Sequence, residues 1–313
     1  MSLHQTLKVF ELLDSAYASG ETVRQLFSAY DKVDVAVTEI AGPKGKTDFV
    51  KIVIPGAQGK RQGGTAPTLG VVGRLGGIGA RPGRLGIVSD GDGAVAAVAT
   101  ALKLAEMQKQ GDTLTGDVIV TTHICPDAPT RPHEPVDFMD SPVETETMNE
   151  QEVSEEMDAV LSIDTTKGNR IINHKGFALS PTVKQGYILR ISEDLLQIME
   201  MTTGQLPVTF PITTQDITPY GNGVYHLNSI LQPSIATTAP VVGVAITSVS
   251  AVPGCGTGAS HEVDIAAASR FAVEVAKAFT RGNCQFYSRE EYARLVQLYG
   301  AMSHLQLRQP AGA

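Results

Sequence analysis

Acidic and imidazole side chains gather at four places along this 313-residue chain, each just beyond an apolar run. Asp90 and Asp92 follow residues 85–88; His123, Cys125 and Asp127 follow 117–122; Asp164 follows 159–163; His261 and Glu262 lie beyond 240–246. A mixed carboxylate and imidazole set is what a divalent transition metal such as zinc takes as ligands. Blander readings stand beside that one. Asp90 and Asp92 can cap the helix that follows them, Asp164 can form a strand-end turn, and His261 can be a capping neighbour of Asp264. Gly91 and Gly93 at a helix start could cradle a phosphate, but flanking acids would repel an anion. Cys125, with His123 two residues away, also suits a thiol nucleophile, although no third orienting residue is identifiable.

Such residues can act together only if strands end and helices begin at one edge. Apolar residues at helical intervals (Leu7, Phe10, Leu13, then Val23, Leu26, Phe27) predict a helical hairpin over about 1–30, with Gly20 ending the first helix. Strands are predicted at 33–40 and 49–54, around the turn Gly42-Pro43-Lys44-Gly45, and again at 68–72 and 85–88. The run AVAAVATALKLAEMQKQG after Asp92 is a strong helix signal, and a strand at 117–122 completes a strand, helix, strand unit. Strands at 159–163 and 240–246 and helices at 192–203 and 264–279 follow, with Ser288 and Glu291 as a capping box for a last helix. Between them, residues 126–157 are proline-rich and then acidic, which predicts a long surface loop. In an open parallel sheet, ligands bind at the carboxyl ends of the strands, where all four polar groups would meet.

The order of these motifs resembles the co-catalytic di-zinc aminopeptidases and their carboxypeptidase and deacylase relatives. SDGDGAVAAVATALKL resembles the segment in which a bridging aspartate opens a long helix, and GDVIVTTHICPDAP occupies the place of a strand running into paired acids. AVLSIDTTKG, with Asp164, resembles the next ligand, ITTQDIT with Asp216 a threonine-aspartate element, and GASHEVDIAAA with His261 the histidine before the last large helix. The resemblance spans about 68–280. It implies a three-layer α/β/α fold with a central mixed, mostly parallel sheet, metal ligands at Asp90, Asp92, Asp127, Asp164 and His261, and a divalent ion such as zinc. Two departures stand out. GVVGRLG fills the place of the first ligand histidine, and Pro126 that of the general-base glutamate, leaving Asp127 as the nearest acid, with His123 or Glu134 as substitutes for the catalytic role. The chain also resembles an uncharacterised bacterial family known only as a domain of unknown function.

Charge and composition bound the rest. A net charge of −8 without a long basic run gives no footprint for nucleic acid. No apolar stretch reaches membrane-spanning length, and the amino terminus lacks a secretory core. Three cysteines without paired spacing suggest neither a disulfide framework nor a cysteine zinc site, so a cytoplasmic protein is expected. The expectation is one peptidase-like domain over 1–313 that hydrolyses a peptide or N-acyl amino acid with a divergent metal site. The alternative is a catalytically inactive relative that acts as a regulatory protein or binds a small molecule or short peptide. Self-association into a homo-oligomer is a further expectation.

Overall fold

The computed structural model describes residues 2–167, 171–212, 228–252 and 254–306. The chain opens with α1 (Leu3–Asp14) and α2 (Gly20–Leu26). Two helices form in the region expected as a helical hairpin, and Gly20 opens the second of them instead of closing the first. Ser19 caps α2, its hydroxyl accepting from the Thr22 N–H while the Thr22 side chain returns to the Ser19 backbone. β1 (Asp34–Gly42) and β2 (Gly45–Ile54) are an antiparallel hairpin.

β3 (Leu69–Gly73), α3 (Asp92–Lys109) and β4 (Val118–Ile124) make the crossover, with β3 and β4 parallel neighbours. Residues 85–88, expected as a strand, do not form one. Leu85 is 85% exposed, and the Ile87 N–H is tied instead to the Asp14 carboxylate at 2.6 Å. The strand feeding α3 is therefore β3, and 74–88 is an excursion over the end of the sheet. Within 126–157 the chain forms β5 (Thr130–Arg131) paired with β6 (Phe138–Met139), then α4 (Thr145–Glu152). After β7 (Ala159–Thr165) come three short strands missed in the sequence, β8 (Gly176–Leu179), β9 (Thr182–Lys184) and β10 (Tyr187–Leu189). α5 (Glu193–Thr203) starts at a Ser192 cap, and a 3-10 segment spans Ser229–Ile235. β11 (Val241–Thr247), α6 (Glu262–Thr280) and α7 (Arg289–Tyr299) complete the order, with the Ser288 hydroxyl accepting from the Glu291 N–H.

Among the described residues, nine strands form one mixed sheet in the order β1-β2-β4-β3-β7-β11-β9-β10, with β8 also on β11. Its four central strands, β4, β3, β7 and β11, are parallel, and the pairs towards both edges are antiparallel. Each central strand is buried on both faces, so its side chains alternate between two cores. Val71, Val120, Leu161 and Val244 join α3 and α6 in the larger one. Val72, Ile119, Val160 and Ala245 join Ile230 and Leu231 of the 3-10 segment in the other. α3 and α6 lie side by side against the sheet and α1 packs on both, which is why the alanine-rich sequence of α3 is buried nearly all round. Among the described residues, no helix is long and apolar enough to cross a membrane.

Candidate functional site

α3 starts unusually close to the sheet. A Cβ on Gly93 would meet the Arg74 carbonyl oxygen at 1.8 Å and that of Ile163 at 2.4 Å, so only glycine lets the helix start between the ends of β3 and β7. This places Asp92 at the carboxyl edge with no exposed surface. Its Oδ1 accepts from the Ser260 hydroxyl at 2.5 Å and its Oδ2 from the Lys167 ammonium. Lys167, buried two residues beyond β7, also donates to the Ala259 carbonyl at 2.7 Å. Burial pushes the Asp92 carboxyl above the usual carboxylate range, while Lys167, Ser260 and, least, His261 pull it back.

Asp90 and Asp164 lie nearby. Asp90 is buried in the short turn Ser89–Gly91, and Asp164 sits near the end of β7, its Oδ1 accepting from the Thr165 N–H at 2.7 Å. The Thr165 hydroxyl donates to the Ser89 carbonyl at 2.6 Å, joining strand to turn. Both acids act on Cys255, whose thiol is pushed up by burial first, then by Asp90 and, last, by Asp164.

His123 lies within β4 rather than beyond it, and both ring nitrogens are engaged. The Gly76 N–H donates to Nε2 at 3.0 Å, so the proton sits on Nδ1, which is 2.9 Å from the Thr47 hydroxyl. Burial, with a smaller contribution from the Arg74 charge, pulls its pKa down to about 3. An unfolded histidine titrates near about 6.5. Because the folded value is the lower one, the unfolded chain binds the extra proton between the two. Stability is therefore complete above that range and falls by up to about 1.4 kcal/mol per pH unit as pH drops below about 6.5. Urea midpoints at neutral and mildly acidic pH should show this loss in the wild type and a smaller one in His123→Gln; equal losses would contradict it.

Asp127 is exposed and accepts from the Cys125 thiol, Sγ to Oδ1 3.7 Å. Burial and then Asp127 push that thiol up to about 12, far from the thiolate a nucleophile needs. His261 is exposed at the start of α6, where its carbonyl accepts from the Asp264 and Ile265 N–H groups. Asp216 lies outside the described residues. The edge thus gathers Asp90, Asp92 and Asp164, with His261 close enough for its charge to reach Asp92. Asp127 stands on the exposed side.

Arg74, in the place of the resemblance's first histidine, does not turn to these acids. Its guanidinium is 1% exposed; Nε donates to Glu152 Oε2 at 2.8 Å, Nη2 to Asn149 Oδ1 at 2.8 Å and Nη1 to the Ser229 carbonyl at 2.7 Å. One side chain thereby ties the end of β3 to α4 and to the 3-10 segment. Sequence reasoning missed Lys167, Ser260, Asn149 and Glu152 as partners. For Lys167 a signal existed, since a cation three residues past a strand-end acid falls on the same edge.

A paired-metal centre needs a carboxylate with free oxygens between the ions. Of the two aspartates that could fill that place, Asp92 spends its oxygens on a lysine and a serine. Among the described residues, no group of three or more His, Cys, Asp or Glu side chains could hold a metal ion. The described residues therefore do not fit the di-zinc arrangement.

The fold is shared with solved enzymes. A structure described as the bottromycin maturation enzyme BotP in complex with Mn superposes with a TM-score of 0.54 at 14% identity, over 90% of this chain and 71% of that one. The K354E mutant of tomato leucine aminopeptidase gives 0.55 at 11% identity over 87% of this chain, which spans only 61% of the tomato enzyme. At such identities the likeness is one of fold, an aminopeptidase-like α/β fold. No curated protein matches the sequence. The sequence profile of one family matches residues 38–309, and the chain belongs to that family, described as "Protein of unknown function (DUF1177)".

Proposed function

We propose that this protein turns an aminopeptidase-like fold to binding a small organic ligand at the carboxyl edge of its sheet, without paired-metal hydrolysis. The observation that carries this reading is the Lys167 ammonium on Asp92. A lysine supplies positive charge to a buried carboxylate, but it does not coordinate a water and bring its pKa near neutrality, which is how a catalytic metal makes its nucleophile. The engaged ring of His123 and the exposed position of Asp127 agree with it, since neither stands as a general base over the buried acids.

The second reading is a hydrolase of a peptide or N-acyl amino acid that uses a divalent ion such as zinc. The enzymes sharing the fold favour it, as do the buried carboxylates of Asp90 and Asp164. Elemental analysis of protein purified without chelator decides between the two, paired with peptide and N-acyl amino acid turnover in added zinc or manganese. The binding reading expects metal far below one ion per chain and no metal-dependent turnover. Near-stoichiometric metal that disappears in Asp164→Ala, together with metal-dependent hydrolysis, would overturn it.

A further inference from the structure

The pocket beside the buried acids has a mouth and walls of distinct chemistry. Its inner side holds the buried Asp90, and its walls are Leu75, Met139, Val143 and Met148, the last three almost fully buried. At its mouth stand Lys44 and Arg131, the side chains 53% and 39% exposed, with Asp140 between them at 15%. Asp140 Oδ2 accepts from Lys44 Nζ at 2.5 Å but lies 3.7 Å from Arg131 Nε, beyond hydrogen-bond length. That Nε is buried and has no hydrogen-bond partner. A buried donor left unsatisfied is destabilising and favours a ligand that supplies an acceptor. The pocket, of about 140 Å³ in all and lined by both polar and apolar side chains, thus presents a cation pair incompletely served by its own carboxylate. Cavities of about that size accept a benzene-sized molecule.

We propose that this pocket binds a compact aliphatic carboxylate, its hydrocarbon tail among Leu75, Met139, Val143 and Met148 and its carboxylate between Lys44 and Arg131, where it displaces Asp140. The exposed cations at the mouth fix the orientation, since they draw the carboxylate there and leave the apolar side chains to the tail. The incoming carboxylate supplies Arg131 Nε with the hydrogen bond that Asp140 does not give. The inference rests on the binding reading and names its ligand class. The same chemistry is presented by a short fatty acid and by an aliphatic amino acid.

Isothermal titration of the full-length protein with isovalerate, L-valine and isobutylamine tests it, with metal content measured on the same preparation. Isovalerate or L-valine should bind with Arg131→Gln weakening the complex about tenfold and Asp140→Asn, which removes the internal competitor, tightening it several-fold. L-valine the tighter of the two assigns the site to amino acids, and isovalerate the tighter to fatty acids. Failure of both carboxylates to bind folded, metal-free protein overturns this inference and leaves the binding reading standing, as does preference for isobutylamine or indifference to Arg131→Gln. Stoichiometric metal with metal-dependent hydrolysis overturns the binding reading itself.

Discussion

Arg74→Met is expected to destabilise the fold by about 3–5 kcal/mol, the range found when one partner of a buried ion pair is removed. Glu152 is fully buried, and its Oε1 has no hydrogen-bond partner even with the arginine in place. Burial raises its carboxyl, and the Arg74 charge and hydrogen bond are what oppose that rise. Without the guanidinium, the carboxylate must protonate or drag α4 into water, and Asn149 Oδ1 and the Ser229 carbonyl lose their donor. The double variant Arg74→Met with Glu152→Leu should recover most of the loss, because apolar side chains of similar volume often replace a buried pair at little cost. Urea unfolding of the two single variants and the double variant reads the cycle. Limited proteolysis adds a local readout: in Arg74→Met, cleavage should concentrate within 126–157, where α4 covers the pocket. A single variant within 1 kcal/mol of wild type would show that the pair does not hold α4 down.

That network shows where the sequence was legible and where it was not. The crossover of β3, α3 and β4 could be read because periodicity is local: an alanine-rich helix signal between two apolar runs leaves little choice. The same holds for β7, β11 and α6, whose apolar patterns survive into the two cores. The stretch TETMNEQE reads as a solvated acidic run, yet Asn149 and Glu152, one turn apart, are both fully buried. What inverts the reading is an arginine far away in the chain, and no local pattern carries a partner. Residues 85–88 failed for the opposite reason. A short apolar run looks like a strand, but here the Ile87 N–H goes to the Asp14 carboxylate and the Val88 N–H to the Ile78 carbonyl, and Leu85 points to water. β8, β9 and β10 are each four residues or fewer, too short for an alternation to register. Asp164 was found because it closes an apolar strand and Asp90 and Asp92 because they stand at the start of a strong helix signal, and their neighbour Lys167 was missed because a pairing is not a position.

Lys167→Met is expected to be as costly as the loss of Arg74, about 3–5 kcal/mol at neutral pH, because it strands Asp92 with no exposed surface. Ser260 would remain as a single hydroxyl donor, which cannot neutralise a charge. The penalty should shrink as pH falls. Burial already holds the Asp92 carboxyl above its ordinary range with the lysine present, and without Lys167 the carboxyl is pushed higher still. An acid whose folded pKa exceeds its unfolded one loses stability as pH rises between the two values and regains it as pH falls. Wild type shares the His123 dependence, so the difference between variant and wild type isolates Asp92. Urea midpoints for Lys167→Met and for Lys167→Met with Asp92→Asn measure it, the second variant carrying no charge at positions 92 and 167 and so no pH dependence from Asp92. If Lys167→Met instead matched wild type at neutral pH until a chelator was added, a metal ion would be serving Asp92, and the lysine would have been a bystander to that carboxylate.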